Sequence, residues 1–409
     1  MIKLFSKSKK KTQPVRRGAM RFEERPSRTA ARAEVTEYEG HIIDKKLAFI
    51  TFVFVCFGLI FTYSSSAFDS SLFFKRQLIF DFLGLVAALV LSQTYSRLQQ
   101  IVKPIWLMYI TWGLLIWVLF TPKIANVHRW IHLGFFNLQP SEVAKVTLVI
   151  YLADYLSRWQ GKLARNWLLL LPPLVVSGIT FGLMGLAPDL GTPMLMGAVL
   201  VAMLFVAGAS IKHLLIMFAA TTPLILYQLI FYRYRLERLL SFLNPEAQAG
   251  GAGYQLMQSF MAVGSGGWFG KGLGNSELKL EYLPAAHTDF IFSIMCEEIG
   301  LMGVMAIIAC FCWLLVRGIS LARVSKNSFH SLLIFGLTLT ICMQAFFNMA
   351  MAIGLLPTKG IPLPFFSYGG SSVIMTLVMM GIIVNVASSK HSSKARNVED
   401  FTEYRTRNR

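Results

Sequence analysis

Tyr282-Leu-Pro-Ala-Ala-His-Thr-Asp289-Phe-Ile-Phe-Ser-Ile-Met-Cys-Glu-Glu298 is the stretch on which the reading of this chain turns. A polar, Gly-rich segment ends there and a long apolar run begins, so ionisable groups stand at the mouth of a membrane helix. A carboxylate is costly to place beside hydrocarbon, which makes Asp289 a candidate for function. Its competing reading is a helix cap, because an Asp before a helix can accept from the first free N–H groups. Glu297 and Glu298 lie two turns further on. Adjacent helical positions face different ways, so at most one of them can point at Asp289, and both can pair with basic groups elsewhere.

Outward from this point the chain reads as membrane. Only 15% of its 409 residues are charged and 55% are hydrophobic, against about a quarter charged in a soluble protein. A spanning helix needs about 20 mostly apolar residues. Ten runs meet this, at about 47–67, 74–94, 101–121, 141–158, 166–186, 190–210, 212–232, 289–317, 329–354 and 368–388. The expected fold class is an all-α integral membrane protein of about ten transmembrane helices (domain 47–388), with a basic cytoplasmic tail at 1–46 and a cytoplasmic tail at 389–409. The fourth run carries Glu142, Lys145 and Asp154, and Pro172-Pro173 predicts a kink in the fifth. No cleavable signal peptide is expected, because the first apolar run begins only near residue 47.

Loop charges set the orientation. With the N-terminus inside, the inner loops hold Arg97 and Lys103, then Arg158, Lys162 and Arg165, then Lys212, then Arg317, Arg323 and Lys326. The last tail adds Lys390, Lys394 and Arg396. This excess obeys the positive-inside rule and puts both termini in the cytoplasm. The tail at 1–46 has 13 Lys or Arg against 6 Asp or Glu. It reads as a solvated segment able to touch anionic lipid heads; nucleic acid is not expected, since no aromatic interleaving or folded motif accompanies the charge. Cys56, Cys296, Cys310, Cys312 and Cys342 all lie in apolar segments and read as small buried side chains, with no disulfide framework or zinc knuckle.

One long outer loop runs from 233 to 288. Within it, Gln255 to Val263 predicts a short interfacial helix. Gly264-Ser-Gly-Gly267 and Gly270-Lys-Gly-Leu-Gly274 lack the strand and the Gly-Lys-Ser/Thr ending of a phosphate loop, so tight turns and close packing are expected of them. Other polar groups gather at outer span ends. Glu142 and Lys145 are three apart and able to pair, either to neutralise two costly charges or to border a cavity. Asp189 in Ala187-Pro-Asp-Leu-Gly-Thr192 is equally a helix cap. Gly354-Leu-Leu-Pro-Thr-Lys359-Gly-Ile-Pro-Leu-Pro-Phe-Phe-Ser367-Tyr-Gly-Gly-Ser-Ser372 is too rich in Pro and Gly for a helix and reads as a rigid cavity-lining loop. Arg129, Lys145, Arg233, Arg235, Arg238, Lys271, Lys279 and Lys359 run against the inside bias. An anionic, membrane-held substrate such as a lipid pyrophosphate would account for them.

These residues resemble the SEDS family (shape, elongation, division, sporulation), and its division branch more than its elongation branch. The resemblance covers about 45–388 and rests on Gly253-Tyr-Gln-Leu-Met-Gln-Ser259, Gly272-Leu-Gly-Asn-Ser276, Leu280-Glu-Tyr-Leu-Pro284, His287-Thr-Asp-Phe-Ile-Phe292, Gly354-Leu-Leu-Pro-Thr-Lys-Gly360 and Ser367-Tyr-Gly-Gly-Ser-Ser372. His128 stands where the family often has Arg, and Pro193 where it favours a small residue. The resemblance implies a peptidoglycan glycosyltransferase that polymerises lipid II into a nascent glycan strand at the septum, on the outer face of the inner (cytoplasmic) membrane. It implies a class B penicillin-binding transpeptidase of FtsI type as partner, with FtsQ, FtsL, FtsB and FtsN types around it. It carries the catalytic carboxylate onto Asp289, the Glu–Lys pair onto Glu142 and Lys145, and a further acidic residue onto Asp189. Arg129, Lys279, His287, Lys359 and Ser367 complete the expected substrate contacts. No cofactor is certain; a divalent cation, Mg or Mn, bridging Asp289 and the pyrophosphate is compatible. A lipid II flippase, an elongation-type polymerase and a scaffold for the transpeptidase are the competing readings.

Overall fold

The computed structural model describes residues 44–66, 71–122, 128–134, 136–231, 233–245, 252–276 and 288–407. The tail before residue 44, Lys279 and His287 lie outside the described residues. The chain is mostly helical. In order, α1 is Lys45–Ser66, α2 Ser71–Ile101 and α3 Pro104–Val118; the two-residue strands β1 Ile131–His132 and β2 Asn137–Leu138 follow. Then come α4 Pro140–Trp159, α5 Leu171–Leu186, α6 Gly191–Val206, α7 Ile211–Phe231, α8 Arg233–Leu243, α9 Ala252–Ser265, α10 Ile291–Val324, α11 Ser328–Ala352 and α12 Gly370–Arg407. The strands pair antiparallel, with Ile131 opposite Leu138.

A helix lies over each of the ten apolar runs, and six of these helices are long and apolar enough to cross a membrane by length and composition. The exception with a physical lesson is α4. Its charges lower its apolarity, yet Glu142, Lys145 and most of its length are buried. Helices α3, α5, α6 and α11 pack around it. Such a helix is solvated by protein, so it can carry charges that a lipid-facing one cannot. The outward faces elsewhere are apolar, as at Phe49, Phe82, Ile110 and Phe218.

Local sequence explains the element ends. Asp44 accepts from Lys46 N and Leu47 N at 3.0 and 3.3 Å and so caps α1. Its other oxygen takes Arg317 of α10 at 2.6 Å. Pro172-Pro173 does not kink the fifth span. A 3-10 turn at Trp167–Leu170 leads into α5, and the prolines occupy its first turn, where their missing N–H groups cost no helical bond. Pro193 likewise falls in the first turn of α6. Along the α2–α12 contact the backbones nearly touch: a Cβ at Gly381 would stand 2.5 Å from Ala88 O.

The segment expected as one outer loop holds α8 and α9. Helix α9 covers the expected short helix at Gln255 to Val263 and is docked against α10 and α11. Ser259, fully buried, shares a 2.6 Å hydrogen bond with Ser293 of α10 and lies 2.6 Å from Ala352 O at the end of α11. After α9 the glycine-rich turn meets a break in α10. Gly300 has φ 64° and ψ −173°, so the helix bonds around it cannot form. The turn supplies substitutes: Lys271 N and Gly272 N donate to Glu297 O and Glu298 O, while Leu301 N and Met302 N donate to Gly267 O and Trp268 O, all at 2.9–3.1 Å. The close-packing expectation holds at Gly266 and Gly270, where a Cβ would fall 1.9 Å from Cys296 O and 2.2 Å from Glu298 O, and not at Gly264, Gly267 and Gly274, which have nothing within 4 Å.

Candidate active site

Asp289 sits just before α10 and does not cap it. Its carboxylate faces Gly360 of the Pro/Gly loop and the Arg129 guanidinium. A methyl group at Gly360 would stand 3.2 Å from Asp289 Oδ2 and 3.6 Å from Arg129 Nη1. Burial pushes the Asp289 carboxyl up to about 6, against the pull of Arg129 and then Arg238, which favour its charged form. Two fixed points aim the guanidinium groups: Arg129 Nη2 donates to Pro188 O, and Arg238 Nη1 donates to Thr358 O at 3.2 Å. Arg129 Nε is buried with no hydrogen-bond partner among the described residues, so it retains capacity for an acceptor.

Helix α11 holds the loop against this carboxylate. Asn348 Nδ2 donates to Asp289 O and to Ile361 O, both at 2.8 Å. One turn earlier, Gln344 Nε2 donates to Pro362 O at 2.9 Å, and Gln344 Oε1 accepts from Lys145 Nζ. Lys145 in turn meets Glu142 at 2.7 Å, with both side chains 2% exposed. Consecutive loop carbonyls are thereby tied to the carboxylate's own backbone and to the buried ion pair of α4. The neutralising reading of that pair is met, and through Gln344 the pair also supports the loop that borders Asp289.

The other expected residues divide. Asp189 accepts from Thr192 N at 3.3 Å and Thr192 Oγ1 at 2.8 Å, so it fastens the start of α6 as a cap does. Its neighbour Pro188 holds Arg129, which joins that turn to the site. Ser367 is buried; its Oγ accepts from Leu363 N at 2.7 Å and donates to Thr288 O at 2.6 Å, so it locks the loop to the residue before Asp289. Lys359 lies in the same loop with its ammonium against Met194 Sδ of α6. Glu297 points away, to Lys271 at 2.9 Å and Ser276 at 2.5 Å, and Glu298 accepts from Ser64 of α1 at 2.5 Å. Among the described residues no group of three His, Cys, Asp or Glu gathers around a metal position, and the groups drawn to Asp289 are guanidiniums.

Gln344 and Asn348 escaped the sequence reading. Their signal was present: two amides at i and i+4 on an otherwise apolar helix share one face. Arg238, one of several cations in its segment, could not be singled out without the fold.

A mostly helical membrane protein whose polar groups converge on one half-buried carboxylate flanked by guanidiniums is a membrane enzyme in design. The sequence pattern of the FtsW/RodA/SpoVE family, described as "Cell cycle protein", matches residues 45–392. The chain belongs to that family. It is 38% identical over 356 residues to a probable peptidoglycan glycosyltransferase FtsW of Trichlorobacter lovleyi, covering 84% of this chain and 93% of the relative. It is 40% identical over 322 residues to one of Coxiella burnetii, covering 77% and 86%. Among solved structures it resembles a chain from work described as "Structural coordination of polymerization and crosslinking by a peptidoglycan synthase complex", with TM-score 0.72, 30% identity and coverage of 85% and 98%. The Thermus thermophilus rod shape determining protein RodA follows at TM-score 0.64, 28% identity and coverage of 85% and 97%.

Proposed function

We propose that this chain is a septal peptidoglycan glycosyltransferase that polymerises lipid II, with Asp289 as general base. The observation that carries the reading is a half-buried carboxylate that faces Gly360 and the Arg129 guanidinium, with its pKa raised to about 6 against the pull of Arg129 and Arg238. Near neutral pH such a group is ionised yet basic enough to take a proton. The acceptor sugar 4-hydroxyl is a poor nucleophile, and Asp289 removes its proton as its oxygen attacks the donor's anomeric carbon. General-base help of this kind contributes about 10²–10⁴ in rate. The bond to undecaprenyl pyrophosphate breaks as the glycosidic bond forms, and one displacement inverts the α-linkage to β. Arg129, Arg238 and Lys359 offset the charge on the departing pyrophosphate. Protonated Asp289 then returns its proton to water. A single carboxylate flanked by guanidiniums is a weak site for a protein-held Mg or Mn ion, and no step requires one.

The loop charges support ten spans, both termini in the cytoplasm, and the site with segment 233–288 on the outer face of the inner membrane. The tails at 1–46 and 389–409 would flank the 47–388 membrane domain. The relatives named FtsW favour the septum over the elongation machinery. A class B penicillin-binding transpeptidase of FtsI type is the expected partner, in line with the synthase complex of the structural neighbour. FtsQ, FtsL, FtsB and FtsN types would surround it. Lys279 and His287 remain candidates for substrate contact. The test is purified protein with its transpeptidase and labelled lipid II, read on a gel. Glycan chains support the reading; lipid II crossing vesicle walls without polymer would point to a flippase.

A further inference from the structure

We infer that Asn348 is a positioning residue for the reaction, setting the separation between the Asp289 carboxylate and the cation-bearing Pro/Gly loop. The inference rests on the polymerase reading above. Asn348 is completely buried, and its Nδ2 spends both N–H groups on Asp289 O and Ile361 O at 2.8 Å. These carbonyls belong to the two segments whose spacing matters, since Ile361 directly follows Gly360, where an added Cβ would stand 3.2 Å from Asp289 Oδ2. One amide therefore fixes base and loop to the same point on α11. A well-placed catalytic group loses up to about 10²-fold in rate for a displacement of roughly 1 Å, and this tether, beside the Ser367 bond to Thr288 O, is the one that holds the backbone of Asp289 itself.

The arrangement has a signature that simple destabilisation lacks. Asp289 is held where burial raises its pKa, against the stabilising cations. Released from its tether, the carboxylate relaxes to where its charge is better solvated, and its pKa falls toward the ordinary value of about 4. Asn348→Ala should thus lower kcat by about tenfold to a hundredfold, change KM far less, and shift the acid limb of the pH profile downward. Gly360→Ala approaches the same gap from the other side. Its methyl group would sit 3.2 Å from Asp289 Oδ2, excluding water from the carboxylate, so kcat falls while the acid limb moves upward.

The experiment is the lipid II polymerisation assay on the full-length protein with its transpeptidase, across pH 4.5–8 as about seven points, with the folded fraction taken from gel filtration and partner capture. Opposite shifts in the two variants support the inference. A lower kcat with an unmoved limb in both, or wild-type kinetics in Asn348→Ala, overturns it. If Asn348→Ala fails to fold, Asn348→Ser, which keeps one donor, and Gly360→Ala carry the test. An inactive wild type would instead overturn the polymerase reading.

Discussion

Replacing Lys145 by Met tests how the buried ion pair supports the site. Lys145 and Glu142 are each 2% exposed and 2.7 Å apart, so Lys145→Met leaves a carboxylate buried without its counter-charge. Gln344 Oε1 loses its donor as well. Breaking a buried pair from one side costs about 3–5 kcal/mol, a shift of roughly two to three and a half orders of magnitude in the folding ratio. Removing both charges is different. Glu142→Leu with Lys145→Met leaves no orphaned ion, and swaps of this kind are neutral or stabilising by up to about 4 kcal/mol. The double variant should therefore melt close to wild type in detergent, well above Lys145→Met alone. Its polymerising activity should stay low, because Gln344 no longer has the ammonium that orients it toward Pro362. Intrinsic-fluorescence melting and the lipid II gel read the two effects separately. A Lys145→Met variant that melts like wild type, or a double variant as unstable as the single, would refute the reasoning.

Two further expectations follow from the geometry. Asp289 must be ionised to act, and its pKa is raised to about 6, so polymerisation should rise with pH through that value and fall about tenfold for each unit below it; full activity persisting at pH 4.5, about one and a half units lower, would contradict this. Gly270→Ala puts a Cβ 2.2 Å from Glu298 O at a φ of 78°, which should cost about 2–4 kcal/mol from overpacking and strain. Gly264→Ala in α9, with nothing within 4 Å, should leave the melting temperature unchanged or raise it slightly. Equal melting of the two variants would count against the turn that mends α10.

The helices were legible because apolar length is a local property, and Glu142–Lys145 because pairing at i and i+3 is fixed by helix geometry. The divergence of Glu297 and Glu298 followed from the same geometry, and the structure sends them to Lys271 and Ser64. The proline kink was misjudged because Pro has opposite meanings in a first turn and in a helix interior, and residue type alone does not locate the boundary. Composition marked the glycine turns as tight. That they would replace the bonds lost at Gly300 depends on contacts about 30 residues away, which local spacing does not encode. The capping alternative for Asp289 was decided by tertiary structure, through the approach of Gly360 and Arg129.

The most direct measurement is lipid II polymerisation by Asp289→Asn, which keeps the size of the side chain and removes its basicity. The account predicts a folded, membrane-inserted protein that still captures its transpeptidase, with glycan synthesis reduced at least about 10²-fold. Glycan chains at the wild-type rate would contradict the assignment of Asp289 as the base.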